Sequence, residues 1–186
     1  MLSFVLCTDC HLRLFEEADA EELQRLIERN RAHLRLWLPW AAEQTLEGTL
    51  RFIRFSRQQV AENNGLQTAI VCSGRIVGVA GFHEVDWKHR STSIGYWLDR
   101  EHEGRGIMTR TVRALVDHAV LGWNLNRVEI QTAPDNRRSR AIPERLGFQE
   151  EGVLRQVQWV GDGYVDGVVY SILAAEWRAG LDVRKD

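Results

Sequence analysis

Apolar positions along the chain change period several times, and each change marks an element. Leu12 to Phe15 reads as a short strand, and Asp19 then precedes Leu23, Leu26, Ile27 and Leu34 at helical spacing. Pro39, inside Trp37-Leu38-Pro39-Trp40, ends that helix and leaves two large aromatics near a loop, where they line a pocket or cover a hydrophobic edge. Leu46, Leu50, Ile53 and Val60 predict a second helix over Thr45 to Asn63, stopped by Asn63-Asn64-Gly65. Gln67 to Cys72 and Arg75 to Glu84 are apolar runs separated by Ser73-Gly74, hence a hairpin, with the second strand buried on both faces.

Ile94 to Leu98 reads as a strand, Gly106 to Leu121 as a helix and Arg127 to Thr132 as a strand. Asn136 to Leu146 predicts a helix ending at Gly147, and Leu154 to Val160 and Tyr164 to Leu173 flank Gly161-Asp162-Gly163 as a closing hairpin. Strand, two helices, three strands, helix, strand, helix and two strands make a mixed α/β sheet. Its parallel pair, the strands around Leu98 and Ile130, is joined by the glycine-led helix.

The stretch Glu103-Gly104-Arg105-Gly106-Ile107-Met108-Thr109 sits between one of these strands and that helix. Such a turn aims unpaired backbone N–H groups at one point, with the positive end of the helix dipole behind them, and so binds phosphate. Gly104 and Gly106 let the backbone approach a pyrophosphate and tolerate positive φ. Neither a P-loop nor a dinucleotide fingerprint fits, because no Lys-Ser/Thr pair follows and no third glycine completes the motif.

With 186 residues, 44% of them hydrophobic, and seven tryptophans, the chain has ample material for one core, and residues 1–186 are expected to form one domain. A net charge of −2 gives no global attraction for nucleic acid or anionic lipid, and the one local basic patch is Arg137, Arg138 and Arg140. Met1 to Leu6 is too short for a signal segment, and no long apolar run follows; a cytoplasmic protein that binds neither membrane nor nucleic acid is expected. Cys7, Cys10 and Cys72 form no even disulfide framework. Cys7-Thr8-Asp9-Cys10-His11 matches a haem-attachment pattern, but the expected compartment argues against it, and a lone C-x-x-C is half of a zinc site; no metal is expected.

Gly104 to Thr109 with its helix, Asn136-Arg137-Arg138-Ser139 and Leu146-Gly147-Phe148 together resemble the GNAT superfamily of acyl-CoA-dependent N-acyltransferases, over nearly the whole chain. Leu36-Trp37-Leu38-Pro39-Trp40, Ile94-Gly95-Tyr96-Trp97-Leu98-Asp99 and the closing hairpin are similar to the branch that includes ribosomal-protein serine N-terminal acetyltransferases. The resemblance implies an α/β (α+β) fold: a mostly antiparallel twisted sheet flanked by helices, with a splayed parallel pair at the CoA site. It implies acetyl-CoA as donor, succinyl-CoA being open because of the surrounding arginines, and a homodimer. Glu103, Gly104, Arg105, Gly106, Ile107, Met108 and Thr109 would then hold the CoA pyrophosphate, and the backbone of Trp97 and Leu98 would pair with the pantetheine arm. Asn136 would bond that arm or simply cap its helix, and Ser139 would lie near the sulfur. Arg105, Arg137, Arg138 and Arg140 are the candidates for the 3′-phosphate.

Acyl transfer to an amine needs a neutral amine, a polarised thioester carbonyl and a proton for the departing thiolate. The resemblance assigns polarisation to a backbone N–H near Leu98. Where many GNAT members carry a protonating tyrosine this chain has Pro143, and where the ribosomal-protein branch has a cysteine and a glutamate it has Thr132 and Gln158. The remaining base candidates are Glu84, the favoured one, with His83 and Asp86; Trp37, Trp40 and Gln158 are expected at the acceptor. Three readings of function follow. They are transfer to a protein N-terminal amine, transfer to a small amine such as an amino acid or antibiotic, and a non-catalytic CoA-binding module.

Overall fold

A computed structural model describes residues 3–182. One eight-stranded sheet runs in the order β1-β2-β3-β4-β5-β6-β8-β7, where β1 is Ser3–Cys7, β2 Cys10–Leu14, β3 Leu66–Cys72, β4 Arg75–Asp86, β5 Ser91–Leu98, β6 Arg127–Thr132, β7 Gln149–Val160 and β8 Gly163–Leu173. All neighbours are antiparallel except β5 and β6. Helices α1 (Ala20–Leu34) and α2 (Leu46–Ala61) cover one face, packing Leu23, Leu26, Ile27 and Ile53 on Ala69, Val71 and Val79. On the other face α3 (Ile107–Asp117), α4 (Arg137–Leu146) and α5 (Ala174–Asp182) close a larger core through Val112, Leu115, Val116, Leu146 and Trp177. Each such buried aliphatic side chain contributes about 1.5–3 kcal/mol, which is what fixes α3 behind β5.

Local sequence explains the main joints. Ser73 and Gly74 adopt φ +49° and +77°, the mirror-image turn that matches strand twist, and close the β3–β4 hairpin. Gly147, at φ +84°, ends α4, with Phe148 N–H returning to the Pro143 carbonyl at 3.0 Å. Beyond α3, a π-helical turn over His118–Gly122 leads toward β6.

Sequence and structure differ chiefly at the two ends of the chain, in β7 and at the cysteines. The chain adds β1 at the start and α5 at the end, and β7 begins at Gln149 rather than Leu154. Residues 149–155 are exposed and lack apolar alternation, so nothing in their pattern marks a strand; pairing with β8 makes it one. The cysteines are also corrected. Cys10 and Cys72 face each other in the β2–β3 register with Cα atoms 4.2 Å apart and are disulfide-bonded, while Cys7, opposite Cys10 on β1, is free. That bond takes up one thiol of the C-x-x-C-H stretch. Of the N-terminal run read for a signal segment, Met1 and Leu2 lie outside the described residues.

Candidate active site

The site is built where the parallel pair comes apart. β5 and β6 are paired only at Ser91–Arg127, Thr92–Val128 and Ser93–Glu129, so residues 94–98 have β4 on one edge and no strand on the other. The wedge between them is a cleft of about 1650 Å³, lined from both faces of the sheet.

Hydrogen-bond alternation tells which backbone groups face the cleft. Asp99 N–H donates to the Val77 carbonyl on β4 at 2.7 Å, and Leu98 opposes Gly78 in register. Successive N–H groups of a strand point to opposite edges, so those of Leu98 and Tyr96 point away from β4 and into the wedge. An extended ligand can add there as a strand. Trp97 lies on the α1/α2 face, its ring centroid 6.3 Å from that of Trp40, whereas Tyr96 and Leu98 lie on the α3/α4 face.

At the mouth of the wedge Gly104 and Gly106 both hold left-handed backbone, φ +74° and +70°. Gly106 is the N-cap of α3 and brings no capping side chain, and the first α3 helical bond runs from Arg110 N–H to the Gly106 carbonyl, at 3.1 Å. The N–H groups of Ile107, Met108 and Thr109 are therefore without helical partners. Ile107 and Met108 bury their side chains in the core and can offer a phosphate only their backbone. The Thr109 hydroxyl accepts from Arg145 Nη1 at 2.9 Å. Arg105 points its side chain to solvent, and its carbonyl accepts from Arg110. Glu103 is an ion-pair hub, accepting from His33 Nε2 at 2.9 Å and from Arg138. Arg110, Arg113, Arg137, Arg138 and Arg145 line this part of the cleft; Arg140 instead turns to the Tyr170 hydroxyl and the Pro134 carbonyl.

Asn136 caps α4, its Oδ1 accepting from Ser139 N–H at 3.2 Å, and it also lines the cleft. Ser139 Oγ lies 3.1 Å from the Tyr96 hydroxyl, which donates to the Ser139 carbonyl at 3.1 Å. Burial raises the Tyr96 pKa, so this phenol keeps its proton. Pro143 is buried in α4, and the Thr132 hydroxyl is buried without a hydrogen-bond partner.

Across β5, on the α1/α2 face, stand His83, Ser93, Gly95 and Trp37, with Glu129, Gln131 and Gln158 on the β6 and β7 side of the same cleft. Trp40 is on the rim, 42% exposed, and reaches the cleft only through Trp97. Glu84 is exposed on β4 and is not among the cleft-lining residues, whereas its neighbour His83 is. The sequence therefore brings Trp37, Trp97, Leu98, the glycine turn, Asn136, Ser139 and Gln158 together. It gave no sign of the Tyr96–Ser139 pair, since a tyrosine on a half-buried strand is ordinary. Nor did it point to Glu129 and Gln131.

These features fit an acyl-CoA: a backbone edge for the arm, a positive-φ cradle of N–H donors for the diphosphate and arginines around it. A family model described as Acetyltransferase (GNAT) domain matches residues 10–149. The putative ribosomal N-acetyltransferase YdaF of Bacillus subtilis (strain 168) is 40% identical over 168 residues, 89% of this chain and 92% of that protein. The ribosomal-protein-serine acetyltransferase of Escherichia coli (strain K12) is 29% identical over 161 residues, 86% of this chain and 90% of its own. RimL, a ribosomal L7/L12 α-N-protein acetyltransferase solved in complex with coenzyme A, matches with a TM-score of 0.88 at 26% identity, covering 92% of this chain and 98% of that one.

Proposed function

Since the chain belongs to the GNAT acetyltransferase family and is an acyl-CoA-dependent acetyltransferase, we propose that it acetylates the N-terminal α-amine of a protein, with acetyl-CoA as donor. The observation that carries this reading is the Leu98 N–H at the parting of β5 and β6, with hydroxyls on one face of β5 and an open acceptor wall on the other. Acetyl-CoA supplies an activated acyl group. The turn Glu103 to Thr109 holds its diphosphate, the residue 94–98 edge pairs with its arm, and Asn136 offers its amide beside them.

The Leu98 N–H polarises the acyl carbonyl, stabilising the charge that develops on its oxygen. Ser139, oriented by Tyr96, hands a proton to the sulfur as it departs on the α3/α4 face. The amine enters from the opposite face, past Trp37, Gln158, Glu129 and Gln131.

A protein N-terminus is favoured by the chemistry of that acceptor wall. The wall of His83, Ser93, Glu129, Gln131 and Gln158 carries weak bases, and Arg127, which reaches Glu129, is paired with that carboxylate and with Glu151 and so repels an amine little. A free α-amine titrates near about 8 and a lysine near about 10.4, so deprotonating lysine at neutral pH costs roughly 3 kcal/mol more. The similarity to the ribosomal-protein enzymes supports the same acceptor class. Steady-state rates on a peptide with a free N-terminus, against its N-blocked, lysine-bearing counterpart, test the reading. Faster turnover of the lysine peptide refutes it, and tight acetyl-CoA binding without thiol release on any amine refutes acetyl transfer itself.

A further inference from the structure

We propose that His83, not Glu84, is the general base that takes the proton of the attacking amine; this rests on the acetyl-transfer reading and names the group that reading leaves open. Strands β4 and β5 fall out of step between the pairs Phe82–Ile94 and Val85–Thr92, so His83 and Glu84 together oppose the single residue Ser93. A bulge of this kind re-aims a side chain and recurs beside active sites. Both of its carbonyls are held. Gln59, buried on α2, donates from Nε2 to His83 O, and Thr92 Oγ1 donates to Glu84 O at 2.6 Å.

With that backbone fixed, the His83 ring lies across β5 instead of along its own strand. Nδ1 is 3.0 Å from Ser93 Oγ, and Nε2 sits over Gly95, where any Cβ would run into the imidazole. Gly95 makes the room. Ser93 is also the last β5 residue paired with β6, so the imidazole stands where the strands part, on the face of β5 opposite Tyr96 and Ser139. When Ser93 Oγ accepts from Nδ1–H, Nε2 keeps its lone pair, the tautomer a base requires.

The charged groups near the ring are few. Glu84 and Asp86 are on its own strand, Glu129 on β6 is held by Arg127 Nε at 2.7 Å, and α2 contributes the neutral Gln59. The His83 ring is open to the cleft, but the protein packed beneath it partly strips its water and lowers its pKa from the ordinary 6.5, so the ring is mostly neutral at pH 7. As the amine nitrogen bonds to the acyl carbon and the carbon–sulfur bond breaks, His83 Nε2 takes the proton that nitrogen sheds. The sulfur takes its own from the Ser139 hydroxyl, solvent water restores that proton to Ser139, and His83 gives the amine's proton to water after the amide has left, so that in sum one proton passes from nitrogen to sulfur.

The test uses the full chain with acetyl-CoA and a peptide with a free N-terminus. His83→Gln lowers kcat/KM about 100-fold, the ordinary contribution of a positioned base, while calorimetric acetyl-CoA affinity is unchanged. The acid limb that His83 adds to the pH–rate profile, below 6.5 and beneath the bend set by the α-amine near about 8, disappears in the variant. Added imidazole restores part of the rate of His83→Ala. Ser93→Ala, which keeps the base but frees its tautomer, loses less and shifts the acid limb; it remains the decisive variant should His83→Gln fail to fold. Wild-type rate and acid limb in His83→Gln, an unshifted limb in Ser93→Ala, or acetyl-CoA affinity lost along with rate overturns the assignment and leaves acetyl transfer standing. A wild-type protein that binds acetyl-CoA and acetylates no amine overturns both.

Discussion

Asn30 on α1 and Asp99 at the end of β5, 69 residues apart in sequence, meet in the interior, with Asn30 Nδ2 donating to Asp99 Oδ1 at 2.9 Å. Asn30 Oδ1 in turn accepts from the Arg100 N–H at 3.0 Å, and one helical turn further on His33 reaches Glu103. Two residues of one helix face thus clamp both ends of the segment that leads into the Gly104–Gly106 turn. Asn30→Ala removes a donor from a carboxylate only 1% exposed and is expected to destabilise the fold by about 2 kcal/mol, as for other hydrogen bonds to charged groups. Urea unfolding measures that loss. In steady-state kinetics the variant raises KM for acetyl-CoA more than it lowers kcat, because the turn is loosened and the chemistry is not.

Stability falls in two stages as pH is lowered. Burial depresses the pKa of His118, whose ring packs 4.6 Å from Trp123 and whose Nε2 is buried without a partner. The unfolded chain takes up that proton near about 6.5 and the folded one only at lower pH, so its contribution is whole above 6.5, declines below it, and levels off beneath the folded value. Asp99 titrates in the other sense. Burial opposes its ionisation, but the Asn30 and His102 hydrogen bonds and the Arg29 charge outweigh it and hold the pKa below the ordinary range. Its contribution is present above about 4 and is lost as pH falls through the depressed value. Melting temperature against pH should show both declines, and His118→Phe should flatten part of the first, leaving the share of His83, whose pKa is lowered in the same sense, and the whole of the second.

What the sequence revealed divides along how local the cause is. Ser73-Gly74, the Gly104–Gly106 spacing and Gly147 act within a few residues, and each appears where its pattern indicated. The parallel pair followed from chain order and the crossover helix. The Cys10–Cys72 bond depends on the β2–β3 register, the Tyr96–Ser139 contact on the width of the β5–β6 wedge, and the aim of His83 on a bulge opposite Ser93. No one stretch of sequence encodes those distances. Trp37 and Trp40 make the same point, for they flank one proline turn yet only Trp37 lines the cleft.

Gly106 combines a left-handed backbone with the N-cap position of α3, and an added Cβ would stand 3.1 Å from Arg110 Nη1. Gly106→Ala is therefore expected to cost about 1–2 kcal/mol in the turn, the ordinary penalty for an L-residue there. Binding falls further than folding, because the methyl group also holds a diphosphate off the amides of Ile107 and Met108. Calorimetry with CoA and with dephospho-CoA separates the two sources of affinity. The variant should weaken both ligands alike, whereas Arg138→Ala, removing a cleft-lining cation beside Glu103, should weaken CoA more than dephospho-CoA.

Tyr96 and Ser139 are bonded so that one positions the other. The phenol donates to the Ser139 carbonyl and accepts from Ser139 Oγ, each at 3.1 Å, and burial keeps its own proton in place. In the proposed reaction Ser139 releases a proton toward sulfur, with Tyr96 holding its hydroxyl. Ser139→Ala should lower kcat about 100-fold and Tyr96→Phe about 10-fold, as for a proton donor and its positioner, with KM for acetyl-CoA little changed in either. Groups that act as a unit are not additive, so the double variant should be no slower than Ser139→Ala alone. Single-turnover rates on all three variants measure this directly. If the two effects multiply, the hydroxyls work independently and Tyr96 has a separate part in the reaction.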